Sequence, residues 1–77
     1  MRFSPETTIS YELPFENFVV MKVFDLLGRD IATLVHEVKP AGRHQVLFDA
    51  ANLPSGTYFY RLQAANDIQS RHMVLIR

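Results

Sequence analysis

The sequence predicts a small all-β domain, and three observations carry that prediction. Apolar residues recur at every second position in several short runs, turn-forming residues separate these runs every ~8–12 residues, and no stretch of useful length has the 3.6-residue period of a helix. These features are typical of an antiparallel β-sandwich of about six or seven strands with an immunoglobulin-like or Greek-key arrangement. Because the chain has 77 residues and no cysteine, we expect one domain that packs without disulfides.

The first two strands are predicted on either side of Pro14. Ile9, Tyr11 and Leu13 alternate with polar residues, and this strand ends at Pro14 because proline has no amide hydrogen to donate. The second strand, Phe18–Phe24, is apolar on both faces. That pattern indicates a central strand of a sheet, or a strand that a partner covers.

A hairpin is predicted after the second strand. Asp25 can accept hydrogen bonds from amides of its own turn, and Gly28, followed by Arg29, supplies the left-handed residue that reverses the chain. The third strand is then Ile31–His36. The expected pairs across this hairpin are Phe24 with Ile31, Val23 with Ala32, and Met21 with Leu34.

A second turn is predicted around Pro40 and Gly42, and a fourth strand, His44–Asp49, follows it. If the third and fourth strands form a symmetric hairpin, they belong to the same sheet as the second strand. The pairs expected from this hairpin are Ala32 with Phe48 and Leu34 with Val46.

The corner Leu53-Pro54-Ser55-Gly56 combines an apolar residue, a fixed φ and a glycine that tolerates positive φ, which is the chemistry of a tight turn. We expect the hydroxyl of Tyr58 to donate to a backbone carbonyl a few residues upstream, as in the tyrosine corner of immunoglobulin domains. The strand Thr57–Ala64 alternates between two faces. Its predicted core face consists of Tyr58, Tyr60, Leu62 and Ala64.

A final strand, Ile68–Ile76, is predicted after a turn at Ala65-Asn66-Asp67. Asn66 and Asp67 tolerate left-handed geometry, which suits a tight hairpin. The expected pairs across this hairpin are Tyr60 with Met73, Tyr58 with Leu75, and Arg61 with His72.

The charge of the chain excludes some classes of function. Eight Lys and Arg residues balance eight Asp and Glu residues, which argues against a nucleic-acid binder. No apolar run approaches the ~20 residues of a membrane helix, and the first five residues lack the apolar core of a signal peptide. We therefore expect that the chain, as written, cannot export itself.

Few residues suggest a catalytic or metal site. The symmetric hairpin would place His36 opposite His44, but two ligands do not close a zinc site. Ser55 has no nucleophile-elbow motif around it. The carboxylates of Asp25, Asp30 and Asp49 stand at strand ends, where turn capping is their expected role. We predict no enzymatic activity, no metal and no cofactor.

A second apolar face accompanies the predicted core face. It either packs on the other sheet as core or forms a surface for a partner. Phe15 and Phe59 are the candidates for an exposed aromatic platform of the kind that binds carbohydrate. The residues of the second apolar face are Phe18, Val20, Phe24, Ile31, Val35 and Leu47.

The sequence closely resembles the type A C-terminal sorting domain of the type IX secretion system. The match runs in order through SPETTISYELP, VMKVFDLLGRDIATLV, PAGRHQVLFDAANLPSGTYFYRLQA and HMVLIR, which is nearly the whole chain. Family members begin with an Asn-Pro-Phe-Asn-Pro segment, of which Phe3-Ser4-Pro5 keeps part. The most specific positions are Asp25, Gly28, Arg29, Pro40, Ala41, Gly42, Leu53, Ser55, Gly56, Tyr58 and the strand Arg71–Arg77.

This resemblance implies an address tag at the end of a secreted enzyme or adhesin. Such a domain passes through the periplasm, is recognised by the outer-membrane translocon and is commonly removed by a sortase-like peptidase, so that the cargo is secreted or displayed on the cell surface. By resemblance, the residues that carry recognition are Gly56, Tyr58, Arg71, His72, Met73, Val74, Leu75, Ile76 and Arg77.

Two other functions fit the same strand pattern. One is an extracellular immunoglobulin-like binding or spacer module, including the similar domain of flagellar hook-capping proteins. The other is self-association, because a free terminal strand can pair with a second copy. A sorting domain must be the last ~70–80 residues of its parent, whereas a spacer module can be followed by further domains.

Overall fold

A computed structural model of the protein describes residues 2–76, with side chains described for 4–76. Each predicted run of alternating residues forms a strand, and one short strand precedes them. The strands are β1 (Arg2–Phe3), β2 (Glu6–Leu13), β3 (Asn17–Asp25), β4 (Asp30–Lys39), β5 (Gly42–Asp49), β6 (Gly56–Ala64) and β7 (Asp67–Leu75).

The strands form two sheets that face each other. One sheet has five strands in the order β1-β7-β6-β3-β4, and the other consists of β2 and β5. The pairs are antiparallel except that β1 runs parallel to β7. The chain crosses between the sheets after β1, β2, β4 and β5. This arrangement confirms the predicted small all-β sandwich of immunoglobulin-like type.

The core lies between the two sheets. Met21 and Met73 from the larger sheet are fully buried, and Phe48 from the smaller sheet is nearly so. The predicted inward positions of Tyr58 and Leu62 are confirmed. The buried apolar residues are Ile9, Tyr11, Leu13, Val19, Met21, Val23, Val35, Phe48, Ala50, Tyr58, Leu62, Met73 and Leu75.

Strand β3 is central, as its two apolar faces predicted, because β4 and β6 pair with its two edges. The expected pair of Val23 with Ala32 is confirmed, but Met21 pairs with Val35 instead of Leu34, and Phe24 with Asp30 instead of Ile31. Two register shifts in this ladder cause the difference. A bulge adds a residue to one strand and changes which side chains point inward.

The same irregularities correct the second apolar face. Val35 is buried in the core and Ile31 packs against it, although the alternation of the sequence placed both on the opposite face. Phe18 and Leu47, by contrast, are largely exposed. Some residues of the predicted second apolar face therefore belong to the core, and others lie on the surface.

The predicted hairpin of the third and fourth strands is wrong. Strand β5 leaves the sheet of β4 and pairs with β2, so that Val46 lies opposite Ile9 and Phe48 opposite Thr7. Apart from the exposed Leu47, both strands are apolar on one face only, and this suits the smaller sheet that covers the core. Ala32 and Leu34 therefore do not pair with Phe48 and Val46.

The β6–β7 hairpin turns one residue earlier than the predicted pairing of Ala65 with Ile68. Ala64 pairs with Asp67 across a two-residue turn, and Ala65 has the positive φ, 54°, expected of Asn66 or Asp67. Tyr58 consequently pairs with Met73 and Tyr60 with Arg71. Arg61 lies opposite Ser70, not His72. The shift of two residues keeps every side chain on its predicted face because the period of a strand is two.

Candidate recognition surface

The corner before β6 has the geometry that its sequence predicts. The hydroxyl of Tyr58 donates a 2.7 Å hydrogen bond to the backbone carbonyl of Pro54, and Gly56 has a φ of 157°. The amide of Leu53 donates to the carbonyl of Ala50 at 3.0 Å and closes the turn before it. Since Tyr58 is only 5% exposed, its role in the folded domain is to join the corner to the core.

Asp25 organises the turn between β3 and β4. Its Oδ1 accepts from the amides of Leu27 and Arg29 at 2.9 and 3.0 Å, and its Oδ2 accepts from Nε of Arg29 at 2.6 Å. Gly28 takes a φ of 81°, as predicted. The hydrogen bond from the Arg29 amide, with those from its side chain and Leu27, lowers the pKa of the Asp25 carboxyl below its ordinary 3.8. The guanidinium of Arg29 stays largely exposed.

The turn at Pro40 and Gly42 is a crossover between the sheets. Gly42 has a φ of 120°, and Nε2 of His44 donates to the carbonyl of Pro40 at 2.8 Å. The imidazole of His44 also stacks on Tyr11, with ring centroids 5.2 Å apart. These contacts attach the crossover to β2 and give His44 a structural role.

The last strand divides its residues between core and surface. Met73 and Leu75 are 0% and 1% exposed, so they cannot touch a receptor while the domain is folded. Arg71 and His72 are exposed, and Val74 and Ile76 are half-buried. Arg77 lies outside the described residues.

His72 belongs to a row of rings across the outer face of the larger sheet. Phe24 pairs with Phe59, and Phe59 pairs with His72. The Phe24 and Phe59 rings stack with centroids 5.2 Å apart and planes at 22°, and the His72 ring lies 5.9 Å from that of Phe59. The guanidinium carbon of Arg61 sits 5.0 Å from the centre of the Phe24 ring. We call Phe24, Phe59, His72 and Arg61 the aromatic row.

The sequence did not allow us to predict that these residues lie next to one another. Phe24 and Phe59 both stood on outward faces of predicted strands, yet the wrong β6–β7 register put Arg61 beside His72. The contact between Phe24 and Phe59 depends on the register between β3 and β6. These two residues are 35 positions apart in the sequence. The feature of the sequence that could have indicated the row is a phenylalanine on the outer face of both β3 and β6.

The remaining candidates do not assemble into chemical sites. His36 lies edge-on to Phe18, at 5.2 Å between ring centroids, and His44 belongs to the other sheet, so the expected opposition of the two histidines is wrong. Among the residues whose side chains are described, no three His, Asp or Glu groups gather in a metal-binding arrangement. Phe15 lines a recess beside Ala64 and forms no platform with Phe59.

The predicted capping role is confirmed for Asp25 and Asp49, whereas Asp30 makes an ion pair instead. Asp49 accepts from the amide of Ala51 at 3.0 Å. Asp30 pairs with Nζ of Lys22 at 3.0 Å, which adds an ion pair beside the aromatic row. No helix long and apolar enough to cross a membrane occurs in residues 2–76.

The fold is shared with a solved structure of very different sequence. The chain superimposes on the 1.4 Å crystal structure of an uncharacterized protein from Bacillus anthracis strain Ames, with a TM-score of 0.72 and 8% identity, over 99% of this chain and 75% of that one. A comparison with curated proteins gives no significant match. At this identity the likeness shows a shared fold and nothing about activity.

The family follows from the sequence match. A model of the secretion system C-terminal sorting domain matches residues 4–77, and the chain belongs to that family. Its members are C-terminal sorting signals of the type IX secretion system, non-catalytic domains that direct an attached N-terminal cargo toward the outer membrane for secretion or surface display.

Proposed function

We propose that this domain works as a folded tag, read by the type IX outer-membrane translocon and later by a sortase-like peptidase. It is one domain of a longer secreted protein, passes through the periplasm attached to its cargo and has no catalytic activity of its own. The observation that carries the proposal is the closed sandwich whose last strand supplies core residues and surface residues alternately. Such a domain offers shape, turns and strand edges for docking.

The residues inferred from the family take two different roles in this proposal. Tyr58, Met73 and Leu75 hold the recognised shape, because they are buried. Arg71 and His72 are exposed on the strand that contains the buried pair, and they are available for contact with the machinery.

The experiment is an export assay with a reporter. The 77-residue domain is fused to the C-terminus of a periplasmic reporter that carries its own signal peptide, in a host with an active type IX system. We expect the reporter at the cell surface or in the medium, and in the periplasm when the translocon gene is deleted. Removal of Ile68–Arg77 should also leave it in the periplasm.

Two outcomes would contradict the proposal. Export that persists after removal of Ile68–Arg77 would show that the tag does not act as a folded unit. A reporter that stays in the periplasm with the intact domain would favour the spacer module instead. Circular dichroism of the purified intact domain, which should show β-structure, is the control for folding.

A further inference from the structure

The outer faces of the two sheets differ in composition. The smaller sheet covers the inner face only, and no described element packs on the outer one. Rings from three neighbouring strands lie across this outer face as the aromatic row. The outer face of the smaller sheet is instead mainly polar, with Thr8, Ser10 and Glu12 exposed along β2. Half-buried aromatic rings therefore gather on the outer face of the larger sheet, whereas the smaller sheet exposes Leu47 among polar residues.

From this asymmetry we propose that the aromatic row is the surface through which the domain docks on an acidic protein surface of the outer-membrane machinery. The inference rests on the sorting function proposed above and locates the docking surface on the domain. His72 connects the two, because it belongs both to the last strand and to the row.

The charges of the row select an acidic partner. The carboxylate nearest to it in the ladder, Asp30, is already paired with Lys22 at 3.0 Å. Arg61 lies over Phe24 and makes no ion pair with a described carboxylate. A guanidinium presents five donors, and the edges that do not touch the ring remain available for a carboxylate. Arginine beside aromatic residues is also the composition typical of interface anchors.

The packing of the rings favours a protein over a sugar. Sugar rings stack on open aromatic faces, but one face of Phe59 lies against Phe24, and Phe24 also has the Arg61 guanidinium over it. The faces are thus largely occupied by neighbours within the row. A flat protein surface can pack on such ring edges and on the half-buried Val74 beside them.

Two variants test the surface without removing core residues. Arg61→Glu reverses the charge, and Phe59→Thr removes the central ring while keeping a residue that favours strands. Each is placed in the reporter fusion, and its thermal melting is measured on the purified domain. The matched controls are Arg43→Glu and Leu47→Thr, since both residues are exposed on the smaller sheet.

We expect both row variants to melt as folded domains and to export the reporter about tenfold more slowly, the effect of losing one interface anchor. The controls should export normally. If the folded row variants export at the wild-type rate while removal of Ile68–Arg77 blocks export, the docking surface is wrong and the sorting function stands. If that removal has no effect, the folded-tag function proposed above fails as well.

A further arm separates a protein partner from a membrane. The purified domain is mixed with vesicles that contain anionic lipid, and sedimentation measures binding. We expect no binding that depends on Arg61. Strong binding to vesicles that Arg61→Glu abolishes would overturn the protein partner.

Discussion

Tyr58 and Pro54 are joined by a 2.7 Å hydrogen bond from the side-chain hydroxyl of the first to the backbone carbonyl of the second. This bond spans the corner at which the chain leaves the smaller sheet and enters β6. Because the ring of Tyr58 is buried beside β7 residues, the bond attaches the corner to the core. The bond therefore gives Tyr58 a structural role in the folded domain.

Tyr58→Phe should lower the free energy of unfolding by about 1 kcal/mol, and by up to about 3 kcal/mol if the Pro54 carbonyl finds no other donor. Chemical denaturation of both proteins measures the difference. Tyr60→Phe is the matched control, since no hydrogen bond of its hydroxyl is present in the described structure. A Tyr58→Phe protein with wild-type melting but no export would make Tyr58 a recognition residue.

Asp25→Ala should destabilise the domain at neutral pH, because three hydrogen bonds end on its carboxylate. The pKa of Asp25 in the folded state lies below 3.8, so the stabilisation is fully present above that value and is lost as the pH falls through the folded pKa. Denaturation at a series of pH values should show the difference between the two proteins shrinking below pH 3.8.

Asp67→Asn provides the reference for this measurement, because the Asp67 carboxylate makes no hydrogen bond or ion pair in the described residues. We expect its stability at neutral pH to stay within about 0.5 kcal/mol of that of the wild type. A difference between Asp25→Ala and wild type that stays constant down to the acid limit would show that the charge of Asp25 contributes nothing.

Ala65→Gly should raise the stability by up to about 1 kcal/mol. Ala65 has a φ of 54°, a conformation that costs a residue with a Cβ about 1–2 kcal/mol. Glycine avoids this strain, but its more flexible unfolded state offsets part of the stabilisation. Ala65→Val, which adds a β-branched side chain, should be less stable than the wild type. Equal melting temperatures for all three proteins would contradict the assigned turn.

Met73→Ala should cost about 2–5 kcal/mol, since it leaves a cavity where a fully buried side chain stood. Ile68→Ala on the same strand should stay within about 0.5 kcal/mol, because Ile68 is 60% exposed. Urea titration of both variants checks the alternation of β7. Similar losses at both positions would place the strand in a different register.

Local features of the fold were predictable, and the assembly of strands was not. The Asp25 turn and the Tyr58 corner involve residues within four positions of each other, so sequence chemistry determined them. The partner of β5 was wrong because alternation shows which face of a strand is apolar, and both sheets offer a face of that kind. The aromatic row depended on the ladder between β3 and β6, which no local motif specifies.

Strand β7 supplies Met73 and Leu75 to the core and lies between β6 and β1 in the sheet. It is also the described strand that leaves the ribosome last. A polypeptide that stops before Met73 cannot fill the space beneath Tyr58, and its exposed β6 edge has no neighbour. Proteins are made from the N-terminus onward, so a cargo cut short during translation carries an unfolded tag. The position of this strand makes folding of the domain conditional on the synthesis of β7.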